Sequence, residues 1–187
     1  MSQSKGLNWV YARTIFYPTL LWNMLLGRWL KVRNWWDEVD DDIVLGAFPF
    51  ASDVEGLSKI GVKAVVNTCE EYEGPVEEYA KHSIEQFRMP TVDFTHPSLE
   101  DVTAAVAFIE SQVSQGNRVY VHCKAGRARS ATVAICWLMK SRGISKEQGQ
   151  EILSQARPHI NQRLCSRPVV IEFESGCSAK STKKDHS

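Results

Sequence analysis

Acidic residues are missing from the first 36 positions, which hold Lys5, Arg13, Arg28, Lys31 and Arg33 but no Asp or Glu. The rest of the chain carries 17 basic against 22 acidic side chains, so a basic, aromatic-rich leader (residues 1–36) joins an acidic body. The whole is neutral, with 22 charges of each sign, and nothing in that balance calls for a nucleic-acid partner. No C-x-x-C pair occurs among the five cysteines, so neither a zinc centre nor a disulfide framework is indicated. Free thiols in a reducing compartment are expected instead. There is no internal repeat, and 11 glycines and 7 prolines in 187 residues are too few for a collagen-like or low-complexity chain. At 43% apolar and 24% charged residues, one globular domain with a sizeable core is what remains.

The leader also lacks the length to cross a bilayer. Its uncharged run from Thr14 to Gly27 (TIFYPTLLWNMLLG) has 14 residues, where a span needs about 20, and Pro18 would interrupt a single helix. Three readings of it stand. It is a mitochondrial targeting leader, basic and acid-poor; or an interfacial helix that places residues 7–33 at a membrane surface, with Trp and Tyr at headgroup level; or a helix packed on the core. The first two are compatible.

Residues 37–177 alternate between strand and helix patterns. Ile43–Ala47, Val62–Thr68 (VKAVVNT), Ile84–Met89 and Arg118–His122 (RVYVH) are short apolar, β-branched or alternating runs, which predict strands. Helices are predicted from an N-cap at Ser52 to Lys59, from Ser98 to Gln115, over Arg129–Arg142, from Ser145 with Gln148 completing a capping box, and over Arg167–Glu174. Such alternation makes an α/β domain with a mostly parallel central sheet flanked by helices. Residues 178–187 (SAKSTKKDHS) are small and polar, and a disordered tail is expected there.

The segment Val119–Thr132 (VYVHCKAGRARSAT) carries the chemistry. An apolar strand delivers His122 and Cys123; Arg129 and Ser130 open an apolar helix. Cys136 and Arg142 have the same six-residue spacing, but within a helix they lie about 240° apart and cannot converge on one ligand. Between Cys123 and Arg129, Gly126 permits a tight loop in which the backbone N–H groups of Lys124, Ala125, Gly126, Arg127 and Ala128 turn inward and cradle a dianionic phosphate. Amides and a helix N-terminus lower a thiol's pKa, so Cys123 is expected to attack phosphorus as a thiolate and form a phosphocysteine intermediate. Arg129 offers a two-pronged donor to the equatorial oxygens. Ser130 stabilises the departing thiolate, and His122 fixes the loop and the thiol's pKa. These groups supply the charge stabilisation themselves, so no metal or cofactor is expected.

HCKAGRARS resembles the signature of the cysteine-dependent protein tyrosine phosphatase superfamily, and its placement resembles the dual-specificity branch. Resemblance to the mitochondrial phosphatidylglycerophosphate phosphatases runs further, through ARTIFYPTLLWN, WWDEVDDDIVLGAFPF, the EEYE run at Glu70–Glu73 and the Arg157–Phe173 segment, roughly residues 12–175. It implies a single domain of dual-specificity phosphatase type, acting as a monomer on an anionic phospholipid at the matrix side of the mitochondrial inner membrane, with a bacterial cytoplasmic membrane surface as the alternative. It places the general acid about thirty residues before the cysteine, at Asp93 in PTVDFTHP; Asp101 competes, but its capping-box position already explains it. It puts Glu71, Tyr72 and Glu73 at the active-site mouth, with Arg157 and Arg163 as further contacts, although this chain reads ARPHINQR where the family often has Ile-Arg-Pro. Lys124 and Arg127 suit a substrate with a second anionic group, or are ordinary solvated loop charges. A cysteine at the position of Cys69 forms a reversible disulfide with the nucleophile in the phosphatase and tensin homologue, so the resemblance raises Cys69–Cys123 pairing; a small buried residue is the alternative. Phosphoinositide or phosphoprotein hydrolysis, and a silent phosphate-binding module, are the competing functions.

Overall fold

The computed structural model describes residues 32–184, together with Pro18, Leu21, Met24, Leu26 and Leu30. The readings of the leader over residues 7–33 therefore lie almost wholly outside the described residues. Among those described, no helix is long and apolar enough to cross a membrane.

Five strands form one sheet: β1 (Trp36–Glu38), β2 (Ile43–Gly46), β3 (Val62–Cys69), β4 (Glu85–Thr91) and β5 (Arg118–His122), in the order β1-β2-β5-β3-β4. β1 runs antiparallel to β2, and all other pairings are parallel. The helices are α1 (Ala51–Lys59), α2 (Val76–Lys81), α3 (Leu99–Ser114), α4 (Arg129–Arg142), α5 (Lys146–Ala156) and α6 (Pro168–Lys184). Side chains alternate across a strand, and the two faces are closed separately. Ile43, Leu45, Ala64, Val66, Val119 and Val121 pack under α3 to α6, while Val44, Val65 and Tyr120 pack with Val54 and Leu57 of α1 and with Tyr79 of α2. β5 is central, which is why RVYVH is apolar almost throughout. Its C-terminal end opens between β2 and β3, the place where open parallel sheets bind ligands.

Several boundaries differ from the sequence reading, each for a local reason. α1 starts at Ala51, before the expected cap at Ser52, because the Asp53 carboxylate reaches back to accept from the Phe50 N–H at 2.8 Å. β4 continues through Pro90 to Thr91; it is an edge strand, where a missing N–H costs no ladder bond. β1 and α2 were not anticipated, being three and six residues long and too short to show a period. Trp36, placed in the leader, opens β1, and the buried Trp35 donates its indole N–H to the Phe48 carbonyl at 3.0 Å. At the other end α6 continues to Lys184, so residues 178–184 are helical rather than a disordered tail. Ser178–Lys184 contains neither glycine nor proline to stop the helix.

Candidate active site

The loop between β5 and α4 brings Cys123, Arg129 and Ser130 together below a cleft of about 700 Å3. Gly126 holds it in shape. Its φ is +65°, and a Cβ there would lie 2.4 Å from the carbonyl carbon of Gly46, so the loop packs backbone to backbone on the end of β2. Gly46 is tight in turn, since its own Cβ would meet the Tyr120 hydroxyl at 2.2 Å.

Cys123 is buried, and the Ser130 hydroxyl donates to its Sγ at 3.3 Å. Burial by itself pushes this thiol up. The Arg129 guanidinium, the Ser130 hydroxyl and the backbone N–H groups of Ser130 and Ala125 outweigh it, and the thiol is held down to about 7. A substantial fraction is therefore thiolate at neutral pH. Alkylation of Cys123 by iodoacetamide, followed by mass spectrometry, is expected to accelerate as pH rises through about 7. Ser130→Ala removes a donor to the thiolate and should move that midpoint upward; an unchanged midpoint would show that the hydroxyl does not tune the sulfur.

Arg129 is 2% exposed and clamped from below. Its two Nη atoms donate to the two carboxylate oxygens of Glu71 at 2.7 and 2.8 Å, and one also donates to the Thr91 carbonyl at 2.8 Å. Burial opposes its charge, but the Glu71 carboxylate more than compensates and raises its pKa. Asp93 comes from the loop after β4, with Oδ1 3.1 Å from Arg129 and Oδ2 accepting from the Lys124 ammonium. Asp101 instead caps α3: the Ser98 hydroxyl donates to its carboxylate at 2.6 Å and accepts its backbone N–H at 3.0 Å. His122 is enclosed, its ring stacked on Tyr120 at 5.6 Å, and burial pushes its pKa down to about 3, so it is neutral. Its carbonyl accepts from the Thr68 hydroxyl at 2.9 Å, which ties β3 to the start of the loop.

Other expected contacts lie elsewhere. Glu71, Tyr72 and Glu73 do not line the cleft. Glu71 turns inward to Arg129, Tyr72 donates its hydroxyl to the Pro49 carbonyl at 2.6 Å, and Glu73 lies in solvent, 3.5 Å from Arg88. Loops have no fixed alternation, so the run EEYE could not tell which glutamate turns in. Arg157 is 1% exposed and is a strut: it donates to the Ala125 and Gly126 carbonyls at 3.2 and 2.9 Å, to Asn34 and Trp35, and to the Asp37 carboxylate. Arg163 is exposed and does not line this cleft. Cys69 and Cys123 are both free thiols; burial pushes Cys69 well above the ordinary range. Sequence reasoning passed over Arg33 and Arg167, which both line the cleft. Arg167 donates to the Ala128 carbonyl at 3.2 Å and to the Thr132 hydroxyl at 2.6 Å. Asn67, also passed over, fixes the turn that carries Glu71 by donating to the Tyr72 carbonyl at 2.8 Å.

A low-pKa cysteine at the end of a central parallel strand, an amide loop, and an arginine opening the next helix define a cysteine-dependent phosphatase. Residues 43–175 match the dual specificity phosphatase catalytic domain, and the chain belongs to that family of phosphoric monoester hydrolases. It is 38% identical over 165 residues to phosphatidylglycerophosphate phosphatase PTPMT2 of Arabidopsis thaliana, covering 87% of this chain and 72% of that protein. With the Mus musculus phosphatidylglycerophosphatase and protein-tyrosine phosphatase 1 it shares 35% identity over 192 residues, 98% of this chain and 100% of that one. The crystal structure of PTPMT1 matches with a TM-score of 0.72 at 33% identity, over 80% of this chain and 99% of that chain. PTPMT1 has also been solved in complex with PI(5)P.

Proposed function

We propose that the protein hydrolyses the terminal phosphomonoester of phosphatidylglycerophosphate, giving phosphatidylglycerol and inorganic phosphate. The carrying observation is the likeness to phosphatidylglycerophosphatases along nearly the whole chain, joined to a cleft edged by Lys124, Arg127, Arg33 and Arg167 around the thiol. On this reading the phosphoryl dianion replaces the Asp93 carboxylate on Arg129 and Lys124, which turns Asp93 toward the leaving oxygen. Cys123 Sγ forms a bond to phosphorus as the ester P–O bond breaks, and Asp93, which takes up a proton from solvent on leaving the two cations, passes that proton to the departing alkoxide. Arg129 and the loop amides hold the charge of the equatorial oxygens. Water then attacks the phosphocysteine, Asp93 takes its proton, and the Ser130 hydroxyl receives the freed thiolate. The protein works as a monomer at the matrix face of the mitochondrial inner membrane, with the basic leader against anionic lipid.

The test is phosphate release from phosphatidylglycerophosphate in mixed micelles, against a phosphotyrosine peptide and monophosphorylated phosphoinositides. A tenfold preference in kcat/KM for the first, about 1.4 kcal/mol of transition-state binding, supports the reading. Equal or faster turnover of the peptide discards it. The PI(5)P complex of PTPMT1 favours phosphoinositide hydrolysis as the second reading, and faster turnover of those lipids would select it.

A further inference from the structure

We propose that the cleft beside the phosphate loop, between Arg33 and Arg127, is a second anion site that takes the phosphodiester of the headgroup whose terminal phosphate Cys123 attacks. The inference rests on the lipid reading above and names what confers its specificity. This cleft has a volume of about 450 Å3 and adjoins the catalytic one: Arg33 and Arg127 line both. A ligand held in the phosphate loop can therefore extend toward these two guanidiniums.

The charge here is uncompensated. Arg129, Arg157, Arg118 and Arg142 each face a carboxylate, Glu71, Asp37, Glu38 and Asp40 respectively. No carboxylate among the described residues pairs with Arg33 or Arg127. Asp37 is the one carboxylate lining this second cleft, and both its oxygens are occupied, Oδ2 by Arg157 and Oδ1 by the Asn34 amide at 2.7 Å. Arg127 is pinned through Nε, which donates to the His159 carbonyl at 2.6 Å, while the Arg127 carbonyl accepts from the Asn161 N–H at 2.9 Å. Its outer edge is thereby presented at a fixed height. Burial and the neighbouring charges of Arg127 and Arg157 lower the Arg33 pKa. Burial together with Arg157, Arg33 and Arg127 also holds the His159 imidazole down to about 4, against the pull of Asp37. Two guanidiniums, Arg33 and Arg127, line a pocket whose histidine is neutral, and such a field recruits an anion.

A phosphodiester meets the requirement. It is a monoanion with two free oxygens, matching planar two-pronged donors. In a glycerophosphate headgroup only a three-carbon bridge separates it from the monoester, and the two clefts are likewise neighbours. A phosphotyrosine side chain carries no second anion, so an occupied site also discriminates between substrate classes.

The experiment uses acyl-free substrates, which removes any contribution of the leader at a membrane: glycerophosphoglycerophosphate, with diester and monoester, against glycerol 3-phosphate, with the monoester alone. Wild-type protein is expected to prefer the first by roughly tenfold or more in kcat/KM. Arg33→Gln should abolish most of that preference, costing turnover of the diester-bearing substrate several-fold more than turnover of glycerol 3-phosphate, while Arg33→Lys keeps part of it. In parallel, glycerophosphoglycerol, a diester without a monoester, should inhibit glycerol 3-phosphate turnover by the wild type and do so at least several-fold more weakly with the variant. A preference that survives Arg33→Gln, or an equal loss on both substrates, overturns the site. Absence of any wild-type preference overturns it as well. Each of these results leaves the micelle comparison intact, and that comparison alone decides the lipid reading.

Discussion

Cys123→Ser is expected to lower phosphate release by about four orders of magnitude or more, because the variant loses the nucleophilic thiol that ionises near neutral pH. The thiol sits at about 7 through the Arg129 charge and three donors, Ser130 twice and Ala125 once. A hydroxyl in the same cradle stays protonated, and the amides then face a neutral oxygen. The loop and Arg129 are untouched by the change, so affinity for inorganic phosphate should survive. Steady-state phosphate release with calorimetric binding separates the two quantities. Residual turnover within tenfold of wild type would mean that the chemistry runs through another group.

Glu71→Ala carries the second large effect. Glu71 and Arg129 are 5% and 2% exposed at their side chains, and the carboxylate meets the guanidinium through two hydrogen bonds. Breaking a buried pair by removing one partner costs about 3–5 kcal/mol, since the remaining charge is stranded. That cost is divided between folding and catalysis. Arg129 would turn to the nearest other carboxylate, Asp93, 3.1 Å away. We expect kcat to fall roughly a hundredfold or more, accompanied by a lower melting temperature. Glu71→Gln, which still offers one acceptor, should fall between. Glu73→Ala, two residues on and solvent-exposed, should leave both nearly unchanged. Equal losses at Glu71 and Glu73 would show that the whole run acts at the cleft mouth rather than through Arg129.

That contrast marks where the sequence stops being legible. β3, β5 and α4 are readable because their burial is nearly complete: VKAVVNT and RVYVH are apolar where the sheet is covered on both sides, and α4 is buried from Arg129 to Met139. The Cys123–Arg129 loop is readable for a different reason, since its chemistry lies within seven consecutive residues. What escapes is the supporting layer. Glu71 reaches Arg129 across 58 residues and Arg157 reaches Asp37 across 120, and no local period encodes such pairs. A sequence reader sees charged side chains on loops and assigns them to solvent or substrate, whereas here Glu71 and Arg157 face inward and hold the loop from beneath. Their burial is affordable only because Glu71 finds the Arg129 guanidinium, and Arg157 the Asp37 carboxylate with a ring of carbonyls, which is a property of the fold and not of either segment.

Arg157 also sets a lower limit on the length of chain that can act as this enzyme. Its guanidinium ties the Ala125 and Gly126 carbonyls to Asn34, Trp35 and Asp37. The catalytic loop is thus built partly from the junction between leader and body. A fragment trimmed to begin at β2 would keep every catalytic residue and most of the core. It would also keep Arg157, now buried among carbonyls without its counter-charge, and with it a phosphate cradle that has lost one wall. The start of the functional unit is therefore set by an electrostatic bond and not by the first strand of the parallel sheet.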